Sequence, residues 1–184
     1  ASPRHPRAMR RVRGALVACS TVECFKTDGD RVRLANSAES VDVLHARMLT
    51  QKENMLLTPR YHVFEMDTVP QDATMVPVDV QSEGYEHAGY GVPAISASAS
   101  VDAAGKLHLT LSNTNPNKDI SLKVHVGGLK ASQVQGRFLQ ASTMNAHNTF
   151  ESPNVVKPRE CCGAKGSGAE LRIERPKRAV LVLG

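Results

Sequence analysis

Four cysteines, seven histidines and eighteen carboxylates are the side chains here with chemistry to offer, and their spacing decides what they can do. Cys19 and Cys24 stand as C-x4-C and Cys161 and Cys162 are adjacent, so the paired C-x2-C knuckles of a structural zinc site are missing. Buried or incidental thiols are the better reading, and neither a metal nor a cofactor is expected. His62 and Glu65 fall at i and i+3 and share a helix face. On a helix with so regular a start, a structural pair is the better reading than an acid–base pair. Hydrolysis by paired carboxylates needs two of them held about 5 Å apart on a rigid frame. None of the Asp and Glu falls in a pattern that forces such a pair. No G-x-S-x-G nucleophile elbow occurs, and Gly163-Ala164-Lys165-Gly166-Ser167-Gly168 reads as a flexible turn, not as a phosphate cradle opening a helix.

The elements that must position any site come from a chain of 184 residues, 41% hydrophobic and 22% charged, enough for one domain with a core, or a small domain plus a segment. Collagen-like, disordered and coiled-coil readings are excluded by that composition. No apolar run approaches the roughly 18 residues of a membrane span. Four cysteines do not make a disulfide scaffold at this length. The start has charge but no apolar core of a secretory signal, and no N-x-Ser/Thr sequon occurs, so a reducing, cytoplasmic setting is expected. The net charge of +5 is concentrated in residues 1–13, where Arg4, Arg7, Arg10, Arg11 and Arg13 stand without an acid. Such an arm can neutralise phosphates, but stacking aromatics and a reading helix are both missing. It reads as a solvated end, with neither nucleic acid nor membrane as partner.

From Ala8 to Phe25, the positions Met9, Val12, Leu16, Cys19 and Val22 recur at three and four, the period of an amphipathic helix. Lys26–Asp30 is turn chemistry that ends it. Val32 and Leu34 then alternate as a short strand, and an irregular segment leads to Thr58-Pro59, an N-cap followed by proline at the first helical position. That second helix runs until Pro70. Beyond it the texture is β, with strands expected at Thr74–Val80, Ile95–Val101, Leu107–Asn113, Ile120–Val126, Ser132–Leu139 and Ala179–Leu183. The fold class is therefore mainly β: an antiparallel β-sandwich over 71–184, preceded by a helix–strand–helix piece over 1–70. Leu107, Leu109, Leu111, Leu122, Val124 and Val126 should point inward, and His108, Lys123 and His125 outward. The helix–strand–helix piece has no evident layer to pack on. Its apolar faces should be poorly covered, and the sandwich should carry an unpaired edge strand.

Met55–Met66 (MLLTPRYHVFEM) resembles the junction in the α-L-arabinofuranosidases of glycoside hydrolase family 51, where the last helix of a (β/α)8 barrel leads into a C-terminal β-sandwich. The resemblance continues through Gln71–Thr74, Val92–Ser100, Leu109–Asn117 (LTLSNTNPN), Gly127–Lys130, Met144–Lys157 (MNAHNTFESPNVVK) and Ala179–Leu183. Asp30–Leu44 looks like the last barrel strand and Gly14–Phe25 like the helix before it. Residues 1–70 are then the end of a barrel and 71–184 the sandwich. The resemblance implies retaining release of terminal arabinofuranose from an arabinofuranosyl-containing oligosaccharide. The family's acid/base Glu follows the fourth strand and its nucleophile Glu the seventh, so both would lie upstream of Ala1, and no Glu here takes either role. The implied partner is the missing N-terminal part of the barrel, or a second copy.

One substrate contact carries over. The family's last strand ends in an Ala-Gln whose amide holds the sugar, and the matching stretch is Ala35-Asn36-Ser37-Ala38-Glu39, with Glu39 in place of the Gln. A carboxylate only accepts where an amide also donates. Other departures are Arg60 for a small polar residue, Asp67 for an aromatic, Thr27-Asp28-Gly29 for a His-Ala pair, and the Cys161-Cys162 pair. Such drift fits a divergent or truncated copy. A different class, a stand-alone sandwich that binds sugar or another chain, would lean on Tyr85 and Tyr90 as stacking faces, because the chain has no Trp.

Overall fold

The computed structural model describes residues 10–32, 34–36, 40–68, 72–128, 134–161, 165–167, 170–175 and 179–183. Helix α1 (Val12–Thr27) is followed by a hairpin of β1 (Met48–Gln51) and β2 (Asn54–Leu57), then by helix α2 (Pro59–Met66). The remaining strands are β3 (Thr74–Val76), β4 (Gly84–His87), β5 (Tyr90–Pro93), β6 (Ile95–Val101), β7 (Leu107–Asn113), β8 (Ile120–His125), β9 (Gly136–Gln140), β10 (Arg159–Glu160), β11 (Lys165–Ser167), β12 (Glu170–Arg175) and β13 (Ala179–Leu183). A six-stranded sheet runs β10-β9-β13-β7-β6-β3 and a three-stranded one β11-β12-β8, every pairing antiparallel. Both edges of the large sheet are very short strands, which limits edge-to-edge pairing. In the small sheet β8 pairs only with β12 among the described residues.

The two sheets face each other across one core. Ile95, Ala99, Leu109, Leu111 and Leu183 of the large sheet meet Ile173 of the small one, with Leu122, Val124 and Val126 packed alongside. The inward set is therefore placed as its alternation predicts. His108 is not: it is 5% exposed, although Lys123 and His125 do face solvent. The reason is a third layer. Helices α1 and α2 lie on the outer face of the large sheet, where Val12, Leu16, Cys19, Val63 and Met66 form a second core with Leu139, Val180 and Val182. Strand β7 is thus buried on both faces, and its polar positions His108, Thr110 and Ser112 are inside too. The expectation that the helices lack a layer is corrected here: the sheet's outer face supplies it. Each fully buried Val63 or Met66 side chain contributes about 1.5–3 kcal/mol.

Local signals account for both helices. Thr58 caps α2, its Oγ1 accepting from the Tyr61 N–H at 3.4 Å, and Pro59 follows as the first helical residue. Helix α1 has no side-chain cap; its first N–H groups, on Val12 and Arg13, donate to the carbonyls of Ala146 and Met144 at 3.0 and 3.2 Å. Three further expectations need correction. Of the strand at Val32 and Leu34, the described residues join no ladder, and Leu34 is 77% exposed. A barrel strand needs a neighbour on each side, and none lies beside it among the described residues. The segment read as irregular before Thr58 instead folds back on itself as β1–β2, and Lys165–Ser167 is strand β11 rather than a turn. Residues 1–9, including most of the basic arm, lie outside the described residues, and no described helix is long and apolar enough to cross a membrane.

Gly136 shows how tightly the large sheet closes. It sits opposite Leu183, and a Cβ there would stand 2.5 Å from the Val182 carbonyl oxygen and 2.5 Å from Leu183 Cδ2. Gly136→Ala must push two strands apart and should cost about 1–3 kcal/mol, a fall of several degrees in melting temperature. An unchanged thermal melt would show that β9 yields without cost.

Candidate functional site

Glu39, the one substrate contact implied by the sequence, lies outside the described residues. Its neighbour Ser40 is described, and the Ser40 carbonyl accepts from the backbone N–H groups of Arg47 and Met48 at 2.9 and 3.0 Å. Arg47 is held again one residue later in the path, because its own carbonyl accepts from the Thr58 N–H at 2.9 Å. The chain after Glu39 is therefore tied to the base of hairpin β1–β2 and to the cap of α2.

A group of side chains that spacing did not reveal gathers at this junction. The Arg47 guanidinium lies 4.0 Å from the centroid of the Phe64 ring and that of Arg60 lies 5.7 Å from the same centroid. Arg60 Nη1 stands 3.0 Å from His45 Nδ1. Arginine only donates, so Nδ1 is the acceptor in this contact. Burial, and then the charge of Arg47, lower the Arg60 pKa. Arg60 had drawn notice as a departure from the family. His45 and Arg47 are near neighbours, and Arg60 and Phe64 lie one turn apart on α2; folding brings the two pairs together.

The residues with candidate chemistry elsewhere are structural. His62 Nδ1 is 3.9 Å from Glu65 Oε2, beyond a hydrogen bond, and burial lowers its pKa against the raising effect of Glu65. The other Glu65 oxygen accepts from Arg137 Nη1 at 2.7 Å, tying α2 to β9. Cys19 is buried, Cys24 is exposed, and no group of three metal-ligating side chains occurs among the described residues. Cys162 lies outside them. Tyr85 stacks on His87 within the β4–β5 hairpin and Tyr90 is 80% exposed at its turn. His108 Nε2 is 2.9 Å from Asp102 Oδ2, while Asp102 also accepts from the Ala104 and Lys106 N–H groups at 2.9 Å each, bracing the β6–β7 turn.

A buried carboxylate escaped the helical pattern altogether. Glu23 is 1% exposed on the inner face of α1, one turn beyond Cys19. Its Oε2 accepts from Ser112 Oγ at 3.1 Å and its Oε1 from the Cys19 thiol at 3.6 Å. Burial raises its pKa to about 7, against the lowering effects of Ser96, Ser112, Cys19 and Lys26. Lys26, a turn further on, pairs with Asp67 at the end of α2, which gives that departure from the family a physical reason. Burial still raises the Asp67 pKa despite Lys26. Glu23 thus serves the contact of α1 with the sheet, and Asp67 the contact between the two helices. A cavity of about 320 Å³ does lie beneath the hairpin, lined by Leu49, Leu56, Asn148 and Phe150 with Arg10 and Glu151 at its margin.

Known proteins agree with this architecture. The family described as the alpha-L-arabinofuranosidase C-terminal domain matches residues 2–178. An intracellular exo-alpha-L-arabinofuranosidase from Bacteroides ovatus is 35% identical over 173 residues, which cover 94% of this chain and 34% of that protein. The crystal structure of the GH51 arabinofuranosidase from Xanthomonas axonopodis pv. citri superposes with a TM-score of 0.90 at 35% identity, over 94% of this chain and 35% of that one. The thermostable GH51 alpha-L-arabinofuranosidase from Thermotoga petrophila RKU-1 does so with a TM-score of 0.81 at 25% identity, over 94% and 38%. The chain thus spans about a third of the length of these relatives. Matched from near its start almost to its end, it belongs to the alpha-L-arabinofuranosidase C-terminal domain family, as the C-terminal portion of a family-51 fold.

Proposed function

We propose that this chain is the C-terminal part of a retaining α-L-arabinofuranosidase acting on terminal arabinofuranosyl residues, and that it is inactive by itself. The observation that carries this reading is the match over 94% of the chain to about a third of the Xanthomonas enzyme. In this reading residues 1–70 end a (β/α)8 barrel and 71–184 form its appended sandwich. The acid/base and nucleophile carboxylates belong to the part of the barrel outside this sequence. The exposed Leu34, Val41, Leu44 and Met55, at 77, 43, 48 and 62%, with the edge of β8 away from β12, are the surfaces that such a partner, or a second copy, would cover. A cytoplasmic location follows the Bacteroides relative, which is named as intracellular.

Retention needs one carboxylate to attack and another to shuttle the proton, and the two act as a unit. Without either, the expected result is no release of phenol from an aryl α-L-arabinofuranoside above that of a heat-treated control. Glu39→Gln, which restores the amide, should not rescue it. Turnover that disappears when a Glu of this chain is mutated would refute the reading. The exposed Tyr90 favours a second reading, a sugar-binding module, and quenching of tyrosine fluorescence by arabino-oligosaccharide that is lost in Tyr90→Ala would support it.

A further inference from the structure

His45, Arg47 and Arg60 bring two permanent positive charges to one aromatic ring, and no carboxylate among the described residues pairs with either, whereas Arg137 sits 2.7 Å from Glu65. The Nε–H groups of Arg47 and Arg60 are shielded from water and unpartnered. Both side chains are half-buried and held in place: Arg47 by Ser40 and Thr58 through its backbone and by Phe64 through its guanidinium, Arg60 by the first turn of α2 and His45. Two like charges fixed side by side in a partly dry setting are unfavourable until an anion joins them.

We propose that His45, Arg47 and Arg60, arrayed on Phe64, form a binding site for a small oxyanion, the carboxylate of an acidic sugar or a phosphate. The anion's oxygens accept from the Nη groups of the two guanidiniums, and the contact of His45 Nδ1 with Arg60 Nη1 keeps Arg60 turned toward its neighbour. Ser40, which follows Glu39, is hydrogen-bonded to Arg47. The acidic-sugar source rests on the proposed hydrolase reading, since it takes the anion from a charged substituent of that substrate; oxyanion binding itself does not.

The test is a titration of the isotope-labelled 184-residue chain at pH 6 and constant ionic strength, reading the arginine Nε–H resonances. Inorganic phosphate, sodium glucuronate, sodium chloride and neutral arabinose are added in separate arms. Saturable shifts of the Arg47 and Arg60 signals are expected with glucuronate or phosphate and not with chloride or arabinose. Response to glucuronate alone assigns the sugar acid, and response to phosphate alone assigns phosphate. Loss of a charge-assisted contact in Arg60→Thr should weaken binding at least about tenfold, while Lys118→Gln, at the surface pair with Glu83, should leave it unchanged. No saturable shift with either oxyanion, or the same shift with chloride, overturns the proposal. The readout involves no turnover, so it stands apart from the fate of the hydrolase reading.

Discussion

Glu23→Gln should stabilise the folded chain by about 3 kcal/mol at pH 8 and change it little at pH 4. The Glu23 carboxyl titrates near 7 in the fold against 4.5 when exposed, chiefly because burial disfavours its charge. A raised carboxyl pKa means that the folded state holds a proton the unfolded state has already released. Stability therefore falls as pH rises from about 4.5 to about 7, and the full penalty applies above that window. The shift multiplied by 1.36 kcal/mol per unit gives the expected size, to order of magnitude. Glutamine keeps the shape, still accepts from Ser112 and carries no charge. Asp67, also raised by burial, adds slope to both proteins, so the difference between them isolates Glu23. Urea denaturation at several pH values reads it directly. A gap that is the same at pH 4 and pH 8 would mean that the carboxylate is neutralised in place, by Lys26 or by water.

Asn148→Ala should lower stability by about 3 kcal/mol or more, roughly a 10 °C fall in melting temperature. Asn148 is 6% exposed, and its side chain serves three backbone groups at once. Nδ2 donates to the carbonyls of Leu57 and Val156 at 2.9 Å each, and Oδ1 accepts from the Val156 N–H at 2.8 Å. It thus fastens the end of β2, one residue before the α2 cap, to the loop that runs beneath the hairpin. Alanine leaves all three groups buried without partners. Asn148→Asp keeps the acceptor but loses both donations and buries a charge, so it should be no better than alanine at neutral pH. A loss below about 1 kcal/mol for alanine would show that water from the adjoining cavity replaces the amide.

What the sequence could reveal depended on how local each signal is. The cap at Thr58, the proline after it, the two-residue alternation of Leu107–Asn113 and the short apolar run Ala179–Leu183 are written in neighbouring residues, and those elements stand where they were expected. The block Met55–Met66, with the motifs after it in order, was also enough to identify the family, because motif order survives where single residues drift. Helix α1 shows the limit: its N-terminus is capped by Met144 and Ala146, more than a hundred residues away, so no local residue marks it.

Burial on the second face of the sheet was decided only in three dimensions. Strand β7 alternates Leu with His, Thr and Ser, a pattern that reads as one wet face. Helix α1 covers that face and Glu23 supplies the acceptor that Ser112 needs. Polar residues inside a core are legible only through their partners, and the partner here lies 89 residues away. The same holds for the arginine cluster. Composition fixes the chain's net charge of +5, and local pattern fixes where its helices and strands begin. Which charges end up paired, as Lys26 with Asp67 and Arg137 with Glu65, and which are left around Phe64, follows from how the hairpin, α2 and the sheet pack. Electrostatic energy depends on distance and burial, and neither is a property of sequence order.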